Sequence, residues 1–110
     1  MKKIAAGILI LACLTIIVFS AVPAQSSSEK SGEALFKEHC SVCHPDGNNI
    51  VNPAKTLHKK DLQANNVKTA KDIVERMRKP GPGMTQFDKN TVSDHDAEEI
   101  AEYVIKKFNK

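Results

Sequence analysis

Cys40-Ser41-Val42-Cys43-His44 places two thiols three residues apart, with an imidazole directly after the second. This C-x-x-C-H order is the pattern for covalent attachment of a c-type haem. Side chains three apart on a helical turn share a face. Both thiols therefore reach one flat ring and form thioethers with its two vinyl groups, while the His44 imidazole projects under the ring to the iron. A ligating histidine donates its other ring N–H to an acceptor, which fixes the ring plane and raises its basicity. The Pro53 carbonyl, nine residues on, is the candidate acceptor. Two other readings start from the same cysteines. A redox dithiol of thioredoxin type needs a preceding strand and a βαβ frame, and the sequence offers neither. A zinc site needs two further ligands at suitable spacing; His39, His58 and His95 are available, but no second cysteine pair accompanies them.

Haem iron has a second axial position, and its occupant decides between electron transfer and open-site chemistry. The candidates are Met77, Met84, His39, His58 and His95. Met84 ends Pro80-Gly81-Pro82-Gly83-Met84, where two prolines fix φ and two glycines permit tight turns. A stiff loop of this kind can hold a thioether at a fixed distance from a metal. Met77 instead follows Ile73 and Val74 at helical spacing, which marks a core residue. His39 is too close to the attachment site to loop to the far side of a ring. His58 lies in the polar run His58-Lys59-Lys60, and His95 stands between Asp94 and Asp96 in a first helical turn. Met84 is the expected ligand. An iron held by His44 and Met84 is low-spin with no open position, and the chemistry left is one-electron transfer.

The elements that must position these groups read as helices. Ser28 can cap a first helix with Glu29 and Glu33 in its opening turns, and Gly32, Leu35, Phe36, Cys40 and Cys43 share one of its faces. A short second helix spans Lys59 to Ala64 and closes at Asn65-Asn66. A third opens at Thr69 with Asp72 in a capping-box arrangement and stops before Pro80. The last is capped by Ser93 with Asp96, and Ala97, Ile100, Ala101, Val104, Ile105 and Phe108 form its apolar stripe. No segment outside the N-terminal run alternates as a strand would, so the expected class is all-α. Loops from Pro45 to Thr56 and from Pro80 to Val92 are expected to wall the haem.

That N-terminal run is a separate unit. Met1-Lys2-Lys3 is a positive start, Ile4 to Phe19 an apolar stretch, and Val22-Pro23-Ala24 a small-residue end, the arrangement of a secretory signal peptide cut after Ala24. Left uncut, residues 4–22 are about long enough to cross a bilayer as an anchor. Cys13, after Leu11-Ala12, fits a lipoprotein site poorly and reads as an ordinary member of the apolar stretch. The whole chain has 110 residues with 16 Lys+Arg against 13 Asp+Glu. Cleavage leaves residues 25–110 as one domain near charge balance, because Lys2 and Lys3 leave and no acid does, so a nucleic-acid partner has no support. A domain this small buries a thin core and usually needs a staple, which covalent haem supplies. Export agrees with haem, since bacterial c-type attachment takes place outside the cytoplasm.

Taken together these residues resemble the small monohaem class I cytochromes c. Cys40 to His44 matches the attachment motif, and Met84 sits where that family's distal methionine is expected. Gly32 and Phe36 look like its first-helix contact residues, with Tyr103 of the last helix as their partner. Asn52 to Leu57 and Ile100 to Val104 look closest to the cytochrome c-six type and its bacterial relatives. The chain departs from the pattern after the ligand, with Thr85-Gln86-Phe87 where relatives often have a proline. The resemblance implies three to five helices wrapped around one covalent haem c, with its iron between His44 and Met84. It also implies a one-electron carrier with transient redox protein partners and no enzyme; the leader places it in the periplasm, and a small, near-neutral carrier is expected to be a monomer. Lys55, Lys59, Lys60, Arg76, Arg78 and Lys79 flank the haem-wall loops, while Asp94, Asp96, Glu98, Glu99 and Glu102 gather on the last helix. The separation makes a dipole whose basic side can steer docking to an acidic partner. A gas or small-ligand sensor, or a peroxidase-like protein, would instead require a labile Met84.

Overall fold

The computed structural model describes residues 30–110. The expected signal peptide at 1–24 and the expected Ser28 cap lie outside the described residues. Four α-helices follow in order, α1 (Gly32–His39), α2 (Lys59–Ala64), α3 (Ala70–Arg78) and α4 (Asp94–Phe108), with a 3₁₀ turn at Pro45–Gly47. Among the described residues there is no strand, and no helix is long and apolar enough to cross a membrane.

The cap of α1 is Ser31, three residues after the expected one. Its backbone is extended, and its hydroxyl oxygen accepts from the Ala34 N–H at 3.2 Å. The helix also stops short of the thiols, at His39. A further helical turn continues the path, with the Cys43 and His44 N–H groups both donating to the Cys40 carbonyl, at 3.1 and 2.8 Å. At α2 the closing signal works as read: Asn66 takes φ 60, the left-handed conformation that asparagine tolerates, and Val67 N–H returns to the Leu62 carbonyl at 2.8 Å. The full capping box forms at α3, where the Asp72 carboxylate accepts from the Lys68 and Thr69 N–H groups at 2.9 and 2.8 Å. Ser93 caps α4 through the Asp96 N–H.

The longest helix, α4, packs against both α1 and α3. Its stripe supplies Ala97, Ile100, Ala101 and Val104 to the core, while Ile105 and Phe108 are partly buried. Close approach of α1 to α4 depends on Gly32, where a Cβ would lie 2.2 Å from the Glu99 carbonyl oxygen. Beside this crossing the rings of Phe36, Tyr103 and Phe108 form a triangle with centroids 5.4, 5.5 and 6.0 Å apart. Pairs in this range add about 1 kcal/mol each beyond simple burial.

Gly32→Ala should therefore cost about 3 kcal/mol, because the obstacle is backbone that cannot rotate away. Gly81→Ala, with nothing within 4 Å of a new Cβ, should be neutral or stabilise by about 0.5 kcal/mol. Guanidinium unfolding of the two haem-loaded variants checks the contrast. Acid stability follows from the carboxylates. Asp72, held by the Lys68 and Thr69 N–H groups, and Asp94, held by Lys89 and Arg78, both sit below the ordinary 3.8. A carboxylate lowered on folding contributes stability above its unfolded pKa and loses it as pH falls through the folded value. Thermal stability should thus hold above about pH 5 and decline below about pH 4, and Asp72→Asn should flatten that decline.

Candidate functional site

A cavity of about 480 Å³ opens between the helices and the two long loops. Its interior is built from Leu62, Val67, Ile73, Met77, Ile100 and Val104, and Cys40, Cys43, His44 and Met84 all line it. Both loops contribute as expected, with Asn49, Val51 and Asn52 from one and Gly81 to Thr85 with Phe87 from the other. The four residues singled out for chemistry thus share one apolar chamber, although 39 residues of chain separate His44 from Met84.

His44 is the buried member of this set, 9% exposed. Its Nδ1 lies 2.8 Å from the Asn48 carbonyl. A carbonyl only accepts, so Nδ1 carries the hydrogen and the Nε2 lone pair is left for a metal. The acceptor is therefore Asn48 and not Pro53. The chain reverses at once after the motif: Asp46 takes φ 53 and Gly47 φ 80, and Asn48 N–H donates to the Pro45 carbonyl at 2.9 Å. This brings a carbonyl back to the imidazole within four residues. Meanwhile Asn49 closes the loop containing Pro53 on itself, its side chain accepting from Val51 and Asn52 N–H and donating to the Lys55 carbonyl.

The reversal is held from outside. A Cβ on Gly47 would lie 2.7 Å from the ring of Phe108, near the C-terminal end of α4. The His58 ring packs edge-on against Phe108 at 5.9 Å, and its Nε2 lies 3.3 Å from Asn48 Oδ1. His58 therefore supports the turn and does not line the cavity. His95 faces Asp96 and Glu99 on the first turn of α4, also away from the cavity. His39 does line it, with its ring edge-on to Phe87 at 6.2 Å. Met77 is 4% exposed and packs into the core as its helical spacing predicted. Met84 is 36% exposed on its loop. Nothing in the local sequence marks Asn48 or Phe108 as part of the site; the Asp46-Gly47 pair is the one signal, since Asp-Gly marks a tight reversal.

Electrostatics weigh against the thiol readings. Burial, with a smaller contribution from Cys43, pushes the Cys40 thiol up to about 11. A redox dithiol or thiolate ligand needs the opposite shift. Among the described residues, no group of three His, Cys, Asp or Glu side chains could hold a metal. A haem fits the donor set instead: two thiols, an imidazole with its tautomer fixed, and a soft thioether around an apolar chamber. Arg78 does not belong to a basic docking rim, because its side chain is only 17% exposed and pairs with Asp94 at 2.9 Å.

Gly47→Ala should force both a strained left-handed residue and a displaced Phe108 ring, lowering stability by about 2 to 3 kcal/mol in chemical unfolding of the haem-loaded protein. Asp46→Asn, at the neighbouring left-handed position, should change it by less than about 0.5 kcal/mol because asparagine tolerates that conformation.

Residues 27–104 match the family described as "Cytochrome C oxidase, cbb3-type, subunit III". The chain is 36% identical over 85 residues to cytochrome c6 of Cyanidium caldarium, covering 77% of this chain and 76% of that protein. Among solved structures it is similar to OmcF, the outer membrane cytochrome F of Geobacter sulfurreducens, with 42% identity and a TM-score of 0.69 over 71% of this chain and 99% of that one. It is also similar to cytochrome c6 of the diatom Phaeodactylum tricornutum, with 31% identity and a TM-score of 0.64 over 68% of this chain and 87% of that one.

Proposed function

The chain belongs to the cytochrome c6-like class I monohaem cytochromes, electron carriers with one covalent haem c, and from that premise we propose an exported carrier whose iron sits between His44 and Met84. The observation that carries this reading is the gathering of Cys40, Cys43, His44 and Met84 around one apolar cavity, with His44 Nε2 left unprotonated by the Nδ1 bond to Asn48. Cys40 and Cys43 would form the thioethers, and His44 and Met84 would ligate the iron. When bound, the haem supplies a one-electron Fe(III)/Fe(II) couple. The protein tunes it with its own groups. A thioether donor and the surrounding Leu62, Val67, Ile73 and Ile100 favour the less charged reduced state and raise the potential. Lys55 and Arg76 also line the cavity and would neutralise the two haem propionates. Family members carry electrons and are not enzymes, and a filled sixth position agrees with that.

The leader at 1–24 would export residues 25–110 to the periplasm for haem attachment, with residues 4–22 holding the protein at the membrane only if cleavage fails. Val42, Ile50 and Val51 are exposed apolar side chains, and Val42 and Val51 also line the cavity mouth with Met84. A small, partly apolar contact of this kind suits redox partners that bind and leave quickly. Lys59, Lys60 and Lys79 supply the steering charge that Arg78 does not.

The optical spectrum tests the ligand assignment. Oxidised protein, matured with haem, should be low-spin with the weak methionine-to-iron charge-transfer band. Met84→Ala should abolish that band and lower the potential by on the order of 0.2 V, a part of the roughly 0.8 V that axial ligands span. A high-spin native spectrum would mean an open site and defeat the reading. Lys59→Glu with Lys79→Glu should slow association with an acidic redox partner about tenfold at low salt and much less at high salt. An unchanged rate and salt dependence would remove the steering role.

A further inference from the structure

The loop that presents Met84 has little to hold it from within. No proline follows the methionine, and inside the loop the Met84 N–H reaches the Gly81 carbonyl only at a long 3.4 Å. Its rigidity comes from ties made beyond it. Phe87 N–H donates to the Met77 carbonyl at 2.9 Å, and the Gln86 amide donates to the Arg78 carbonyl at 2.8 Å. Both ties return the chain to the last turn of α3, so the segment from Lys79 to Thr85 is a closed loop with Met84 near its end.

One side chain fastens the remainder. Nη1 of Arg78 donates to the Phe87 carbonyl at 3.1 Å and to the Val92 carbonyl at 2.8 Å, and Nη2 donates to Asp94 Oδ1 at 2.9 Å. The two carbonyls flank the turn in which Asp88 accepts from the Asn90 and Thr91 N–H groups. The guanidinium therefore joins the end of α3, both ends of this turn and the start of α4. Asp94 is itself held by Lys89 at 2.9 Å. A planar fork of fixed donors suits this task, whereas an ammonium group cannot span three acceptors in the same way. At 17% side-chain exposure these bonds are partly shielded from water and salt.

We propose that Arg78 is the positioning residue that keeps the Met84 loop closed over the haem, and so determines how readily Met84 yields the iron to another ligand. The proposal rests on Met84 being the axial ligand. Arg78 acts through Phe87 and Val92 and does not line the cavity.

Imidazole binding to the oxidised, haem-loaded protein, followed optically, is the direct test, because imidazole binds the iron only when Met84 has left it. Arg78→Ala should tighten the apparent imidazole affinity by about tenfold or more, the scale expected for losing charge-assisted bonds to two carbonyls. Ser31→Ala removes a cap remote from this loop and weakens the fold in general; it should shift the affinity by less than about twofold. An Arg78→Ala affinity equal to the native one overturns the proposal. Equal tightening in Ser31→Ala also overturns it, since general loosening would then explain both. If Arg78→Ala does not load with haem, Arg78→Lys decides: it keeps the charge and loses the fork, so tighter imidazole binding supports the proposal and native binding overturns it. Loss of the charge-transfer band in Met84→Ala with unaltered imidazole affinity in the Arg78 variants would defeat the Arg78 role alone. A band that survives Met84→Ala would defeat the ligand assignment beneath it.

Discussion

The hydrogen bond from His44 Nδ1 to the Asn48 carbonyl is the constraint around which this small domain is arranged. An imidazole can serve an iron only if one nitrogen is left unprotonated and the ring plane is fixed, and a carbonyl four residues away does both. Bringing that carbonyl back requires two consecutive left-handed residues, Asp46 and Gly47, and such a turn persists only when its surroundings over-determine it. Phe108 supplies the cover from the far end of the chain. The ring of Phe108 is fixed in turn by Phe36 and Tyr103, and their contact depends on the close helix crossing that Gly32 permits. The haem motif and the C-terminal helix are thus parts of one packing unit.

The other half of the site obeys a different logic. His44 is buried and held by its immediate neighbours. Met84 is part-exposed on a glycine- and proline-rich loop whose anchors lie at its ends, on the last turn of α3 and the start of α4. A carrier benefits from this asymmetry. In the proposed site the buried His44 imidazole would fix the cofactor in place, while the Met84 thioether would stand close to the exposed apolar surface where a partner would dock. An apolar chamber of about 480 Å³ in a domain of this size is a large void unless it is filled, and covalent haem makes the filling permanent. The cofactor is thereby part of the core as well as the site of chemistry.

What was legible in the sequence was what local chemistry decides. The Thr69–Asp72 capping box, the Ser93 cap and the Asn65-Asn66 stop placed α2, α3 and α4 because each signal is satisfied within four residues of backbone. The attachment motif was visible for the same reason, being contiguous. Ser31 in place of Ser28 is a choice among nearby serines, and it makes Gly32 the first residue of α1. Asn48 in place of Pro53 depended on a backbone reversal whose Asp-Gly signal was present and unused. Arg78 looked like surface charge because one-dimensional spacing cannot show that Phe87, Val92 and Asp94 converge on it. The Arg78 partners come from tertiary packing, whereas the Asn48 acceptor comes from a local reversal four residues long.

In the proposed site Met84 would face the iron from a closed loop. The most direct measurement is the proton NMR spectrum of the reduced, diamagnetic protein, in which protons held over the face of the haem are shifted far upfield by its ring current. A three-proton methyl resonance upfield of the normal aliphatic range, assigned to Met84 by its loss in Met84→Leu, is expected. A spectrum with no such methyl signal, or with one that belongs to Met77, would contradict it.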